Sequence, residues 1–329
     1  MTARAEAPTA EGAELLSVEA TSGRDYRRAA ALPEGDPRPF SVRLVDVPLV
    51  SSDRTYPLHA LTVDVEDWYQ SCVDYEAPIS GRVVRNVDRV LGILDECGVK
   101  GTFFVQGKVA EAFPGLVRAL VDEGHEVGAH GYSHRPLFAM NARELRDELA
   151  QAKQTVEDAA GTPVTAFRAQ DFSILARNLW ALETLAETGF EIDSSIFPMR
   201  SRNYGIPNWR LDPHYVEADG FRILEVPVAI SSFGPVRIPV AGGGYFRLLP
   251  FSVIRSGLRS IGAAGRPAIV YCHPYEFNPD ELASYPAVSR KLRYSQGIGR
   301  GAFSTRITTL LRTFTFGTMA EVLKTWGLP

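Results

Sequence analysis

Short apolar runs that finish in a polar residue recur along this chain, separated by helical segments. The clearest is Leu61-Thr-Val-Asp-Val-Glu-Asp-Trp68. Thr62, Val63 and Val65 favour a strand, and Asp64, Glu66 and Asp67 crowd its end. Acids there cost free energy unless a cation meets them. Strand alternation puts Asp64 and Glu66 on one side, and Asp67 joins them only if the strand has already turned. The stretches 101–105, 126–129, 166–168, 191–193, 223–227 and 268–273 read as further strands, and 42–50 as an earlier one.

Between them lie helical segments. In 83–97 the residues Val83, Val84, Val87, Val90, Leu91 and Leu94 share one side, and Gly98 ends the helix. A second helix is expected over 109–123, before Gly124. Asn141 caps a third that runs to about Ala160, with Glu144 completing a capping box. Further helices are expected at 177–188, 304–314 and 318–326. This alternation implies parallel strands wrapped by helices. Polar residues at successive strand ends favour a barrel over an open sheet, because sites form at the carboxyl ends of barrel strands.

Those ends carry, in order, Asp64, Glu66 and Asp67, then His130 and His134, Arg168, Asp193 and His273. The chain has six histidines, and two lie four apart in His130-Gly-Tyr-Ser-His134. On a helical turn such imidazoles face the same way, and two His with one carboxylate form a common hydrolytic metal set. His59, His125 and His214 have no motif partner and read as structural.

The formal net charge of −4 over 329 residues leaves no footprint for nucleic acid. Three cysteines without regular spacing argue against a disulfide framework. The N-terminus lacks the apolar stretch of a signal peptide, and no run of apolar residues is long enough for a membrane span. A cytoplasmic location is the expectation. Residues 1–40 read as a loosely ordered arm. Between Glu281 and Glu321 there is no acid, while Arg290, Lys291, Arg293, Arg300, Arg306 and Arg312 occur. That run reads as a solvated basic face, or as a surface for a phosphate- or lipid-linked sugar or a membrane.

In order and spacing these motifs resemble the NodB-homology polysaccharide deacetylases, carbohydrate esterase family four. The matching residues are Thr62-Val-Asp64-Val-Glu66-Asp67, His130-Gly-Tyr-Ser-His134, Arg168-Ala-Gln170, Asp193-Ser-Ser and Val270-Tyr-Cys-His273. The stretches 64–68, 242–250 and 273–279 are similar to a narrower group found with exopolysaccharide and exosortase loci. The resemblance implies an α/β fold, a distorted (β/α) barrel of about seven parallel strands with a C-terminal helical extension. The expected division is an N-terminal arm over 1–55, the deacetylase domain over 56–280 and the basic extension over 281–329.

The resemblance also implies metal-dependent hydrolysis of the acetamide of an N-acetyl amino sugar. It assigns one divalent ion, zinc first with cobalt, nickel or manganese as alternatives, to His130, His134 and either Glu66 or Asp67. Asp64 is then the base, Arg168 its partner, His273 the acid and Asp193 the group that orients His273. Trp68, Tyr245 and Phe246 are candidates to pack on sugar rings, and Gln170 to shape the groove wall. Two other readings remain: cyclic amide hydrolysis on the same fold, and a non-catalytic sugar-binding relative. Substrate identity and oligomeric state are not legible.

Overall fold

In the computed structural model the acid-tipped run is β1 (His59–Val65), buried along its whole length. Six more strands join it: β2 (Thr102–Val105), β3 (Glu126–Ala129), β4 (Ala166–Phe167), β5 (Ile192–Asp193), β6 (Phe221–Glu225) and β7 (Ile269–Cys272). All seven are parallel, in the order β6-β5-β4-β3-β2-β1-β7. The structure describes residues 14–16, 41–47, 58–201, 204–218, 220–234, 236–285 and 288–328. Of the arm expected over 1–40 only Glu14–Leu16 is described, a short strand paired antiparallel with Val42–Asp46. The rest of that arm, and most of the segment 1–55, lie outside the described residues.

β6 and β7 do not pair with each other. Main-chain bonds span the gap instead: the Ala229 amide donates to the Ile269 carbonyl at 2.9 Å, and the Tyr271 amide to the Ala241 carbonyl at 2.8 Å. The barrel is therefore distorted at this seam. Gly242 makes the closure possible, because a Cβ there would stand 1.7 Å from the Tyr271 carbonyl oxygen. On the other side of β6 the sheet continues antiparallel through His214–Ala218 and Val42–Asp46. Phe316–Gly317 adds a parallel pairing to the start of β1, and helix Met319–Thr325 follows it.

Helices cover the outer face. Arg82–Cys97 buries Val83, Val87, Val90 and Leu94 at helical spacing and stops at Gly98, whose φ is 64°. Ala142–Ala160 starts at the expected Asn141–Glu144 capping box. The single helix expected over 109–123 is instead two, Gly107–Ala112 and Pro114–Asp122. Phe113 between them has φ −137° and ψ 61°. A residue before proline is steered out of the helical region, so the chain breaks there. The helix expected over 177–188 is likewise divided, into a 3-10 turn at Ala176–Asn178 and the helix Ala181–Glu187.

Register decides where the functional groups emerge. Val65, Val105, Ala129, Phe167, Asp193 and Glu225 form one row across six strands. Glu66, Gln106, His130, Arg168 and Ser194 come one residue later, at the carboxyl ends. Cys272 pairs with Val63, so His273 leaves β7 level with Asp64.

Candidate active site

Asp64 is buried and accepts a hydrogen bond from Arg168 Nη1 at 2.9 Å. The same nitrogen donates to Thr62 Oγ1 at 2.5 Å. Arg168 also donates to the Ser194 carbonyl and hydroxyl at 3.1 and 2.8 Å, and its guanidinium lies over the Phe104 ring. Alternation places Thr62 and Asp64 on one face of β1, which lets one fully buried guanidinium hold both.

Glu66, His130 and His134 converge, with one ligand atom from each within 4.8 Å of the others. Glu66 Oε2 is 3.4 Å from His130 Nε2 and contacts His134 Nε2 directly. His130 Nδ1 donates to the Arg168 carbonyl at 2.8 Å, which leaves its Nε2 lone pair facing Glu66. The two imidazoles do not converge through a helical turn, as the spacing suggests. They meet across a loop in which Gly131 and His134 both have positive φ, 65° and 70°. Glu148 on helix Ala142–Ala160 pins that loop, accepting from the Tyr132 and Ser133 amides at 2.9 and 2.7 Å.

Burial opposes ionisation of Glu66, but His134 and His130 overcome it and hold the carboxyl well below its usual range. Burial likewise opposes charge on His134, and Glu66 reverses it and raises the imidazole. Without a cation, the pair shares a proton that a divalent ion would displace.

Asp67 is not in this group. Its carboxylate caps helix Trp68–Cys72, accepting from the Tyr69 and Gln70 amides at 2.9 and 3.1 Å. It also accepts from the Ser80 amide and hydroxyl. An acid with both oxygens committed to a cap has none left for a metal. Asp67→Ala therefore costs stability, about 1–2 kcal/mol by urea titration, and leaves metal content unchanged.

His273 sits across the cleft, and Asp193 does not orient it. Its Nδ1 pairs with Glu276 Oε2 at 3.1 Å, and Glu276 Oε1 accepts from Arg247 Nε at 2.9 Å. Arg247 is anchored in turn on the Gln296 and Ile298 carbonyls at 2.8 and 2.9 Å. Burial opposes protonation of His273, yet the Glu276 hydrogen bond, with the charges of Glu66, Glu276 and Asp64, brings its pKa up to about 9. Tyr275 stacks on the His273 ring and donates to Glu66 Oε1 at 3.0 Å, linking the acid to the metal-ligating group.

Asp193 faces Glu225, its register neighbour, and Ser195. Burial raises both carboxyls, Glu225 most, and their proximity leaves one proton shared between them. The pair stands behind Arg168 and supports its charge from below.

The ring-packing candidates lie elsewhere. Trp68 is buried against Tyr285, and Phe246 is buried against Phe251 and Phe303. Gln170 is buried too: its amide donates to the Arg135 carbonyl and its side chain fills the space beside Gly131. It therefore shapes the histidine loop, not the groove. Tyr245 is half-buried and stacked near Phe197, outside the cleft lining. The cleft, about 270 Å³, is lined instead by Asp64, Glu66, His130, Asp171, Tyr204 and His273, among others.

Sequence reasoning left out Glu276, Arg247, Tyr275 and Asp171. The first and third are in the motif-like stretch 273–279 that follows the strand-end histidine. The three remaining histidines are scaffold. His59 and His125 accept from the Ala268 and Gly101 amides, and His214 Nδ1 pairs with the Asp212 carbonyl. Burial pushes all three imidazoles down to about 4. Much of the basic run is structural as well. Arg300 donates to the Tyr275 and Gln296 carbonyls, Arg306 to those of Phe246, Arg247 and Leu249, and Arg293 to that of Tyr285. Among the described residues no helix is long and apolar enough to cross a membrane.

Residues 60–190 match the family model for polysaccharide deacetylase, and residues 194–324 match a domain of unknown function, DUF3473. The peptidoglycan deacetylase of Helicobacter pylori is 33% identical over 112 residues, 33% of this chain and 36% of that protein. The peptidoglycan-N-acetylglucosamine deacetylase of Bacillus cereus is 35% identical over 96 residues, 29% of this chain and 35% of that protein. The matched stretch thus spans about a third of the length of either relative. The crystal structure of a polysaccharide deacetylase homologue from Mycobacterium smegmatis is 23% identical, with a TM-score of 0.59 over 87% of this chain and 96% of that one. At that identity the likeness speaks for the fold alone. Residues 60–190, which hold the convergent Glu66–His130–His134 group, are thus similar to the polysaccharide deacetylase family.

Proposed function

We propose that this chain hydrolyses the acetamide of an N-acetylated amino sugar in a saccharide, releasing acetate and a free amine. One observation carries the reading. Three convergent atoms able to ligate a metal share a single cleft with an arginine-paired aspartate and a histidine hydrogen-bonded to the buried Glu276 carboxylate.

The donor set suits a divalent ion such as zinc: two imidazole nitrogens and one carboxylate oxygen, with His130 already fixed in the right tautomer by the Arg168 carbonyl. A divalent ion held there supplies a Lewis acid, which polarises a carbonyl and lowers the pKa of water from ~15.7 towards ~7. The chain's own residues do the rest. Asp64 takes a proton from the attacking water, and Arg168 keeps its carboxylate aimed. His273, protonated below about 9, gives a proton to the departing nitrogen. Tyr275 holds Glu66 in place. The small cleft suits one sugar unit, with the rest of a chain outside. The stretches 242–250 and 273–279, whose sequence likeness points to the deacetylases of exopolysaccharide loci, both reach the cleft wall.

The test uses the full chain. Zinc-loaded protein is expected to bind one ion and release acetate from short N-acetylglucosamine oligomers. Glu66→Gln is expected to lose the ion, and metal binding to wild type is expected to release protons and weaken as pH falls. Bound metal with no acetate from any N-acetyl saccharide would turn the assignment to cyclic amides. No metal uptake from zinc or cobalt would remove the hydrolase reading altogether.

A further inference from the structure

Four acids line the catalytic cleft: Asp64, Glu66, Glu276 and Asp171. Three are accounted for. Asp64 pairs with Arg168, Glu66 with the two histidines and Tyr275, and Glu276 with Arg247 and His273. Asp171 is exposed to the cleft, and among the described residues its carboxylate has neither hydrogen bond nor ion pair. The charges of His134, Glu66, His130 and His273 all reach it, which puts it beside the reacting centre.

The backbone holds Asp171 there firmly. Its φ and ψ are 55° and 20°, and Phe172 follows with φ 48°. Two successive left-handed residues without glycine persist only where the surroundings enforce them. Here the Ala169 amide is tied to Ser195 Oγ at 2.7 Å, the Ser173 amide to the Gln170 carbonyl at 3.1 Å, and Phe172 packs on Phe197, Tyr204 and Tyr271. The turn is pinned on both sides of a single side chain, and that side chain faces the cleft.

We infer that Asp171 is a specificity residue for the proposed deacetylation, its carboxylate accepting a hydrogen bond from a donor on the sugar that carries or flanks the reacting acetamide. The donor is a ring hydroxyl or, in a chain that has already lost acetyl groups, an ammonium. The inference rests on the reading of the reaction given above. The site's other acids are spent on the protein itself, so this is the carboxylate left to meet the ligand. In the ammonium case, each turnover makes the group that Asp171 recognises in the next.

The test compares zinc-loaded wild type with Asp171→Asn and Asp171→Gly. Both replacements tolerate the left-handed backbone, so neither adds strain that would blur the result. The substrates are a fully acetylated N-acetylglucosamine tetramer and the same tetramer with one free amine. Asp171→Gly is expected to lose about ten- to hundredfold in kcat/KM, mainly through KM, the effect of a lost charge-assisted bond. If the donor is a hydroxyl, Asp171→Asn keeps most of the rate on both tetramers. If it is an ammonium, Asp171→Asn loses selectively on the tetramer with the free amine. Variants within twofold of wild type on both tetramers would overturn the Asp171 assignment while leaving the reaction standing. No acetate from wild type itself would overturn the reaction and, with it, this inference.

Discussion

Replacing Asp64 by asparagine is expected to lower acetate release by about 10²- to 10⁴-fold while the divalent ion stays bound. Asp64 lies in the cleft but outside the three convergent metal-ligating atoms. Asparagine keeps an oxygen for Arg168 Nη1 and has nearly the same shape, so the positioning bond survives. What disappears is the group that can take a proton. The variant leaves Arg168, which is fully buried, without its carboxylate. A lone buried cation is costly, but here Asp193 and Glu225 stand behind it. Burial raises both carboxyls and Arg168 pulls against that rise. With Asp64 neutral, the shared proton of that pair becomes easier to release, so the fold is retained. Acetate release, bound metal and thermal unfolding, measured on one preparation, check all three statements. Activity within tenfold of wild type would move the base role to another cleft acid.

Periodic and capped elements were legible in the sequence, because local pattern and tertiary demand agree there. Helix Arg82–Cys97 and the capping box at Asn141–Glu144 are examples. Helix Phe251–Ala263 was not read, although Ile254, Leu258 and Ile261 keep a helical spacing. Its interior Gly257 speaks locally against a helix. In the fold that glycine lets the helix close onto the hairpin Ile230–Phe233 and Val236–Pro239, where a Cβ would stand 2.7 Å from Val240. Helix Gly243–Leu248 was missed because six residues are too few to show a period.

The site divides the same way. Strand alternation already favoured Glu66 over Asp67, and a following helix makes Asp67 a cap. The partner of His273 was beyond reach. Asp193 and Glu276 are both acids near strand ends, and which one meets the imidazole depends on the turn after β7. That turn folds back as a 3-10 helix and brings Glu276 to His273, three residues away. Meanwhile register sends Asp193 to Glu225. Pocket-wall aromatics were misjudged for a simpler reason: composition cannot tell a ring that faces a cleft from one that fills the core. Trp68 and Phe246 do the second.

Glu276→Gln is expected to lower kcat by about ten- to hundredfold and to move the alkaline limb of the pH profile to lower pH. The sign follows from His273. Burial lowers its pKa, and Glu276 is the first of the groups that outweigh burial and carry it to about 9. The protonated acid is thus available below about 9 and is lost as pH rises through that value. Glutamine still offers an oxygen to Nδ1 but no charge, so the imidazole gives up its proton at lower pH and less of it is protonated at neutrality. Stability falls as well, because Arg247, nearly buried, loses its carboxylate and keeps only the Gln296 and Ile298 carbonyls. A merely structural role would move the unfolding temperature alone. Glu276→Asp separates the two: it restores the charge, and with it the alkaline limb, even if the shorter side chain leaves kcat partly reduced. A limb that stays in place in Glu276→Gln, with the fold intact, would take the acid role from His273. If Glu276 does set the limb, residues after 194 contribute to the chemistry directly, since His273, Glu276, Arg247 and the carbonyls that hold Arg247 all lie in the stretch of unassigned function that begins there.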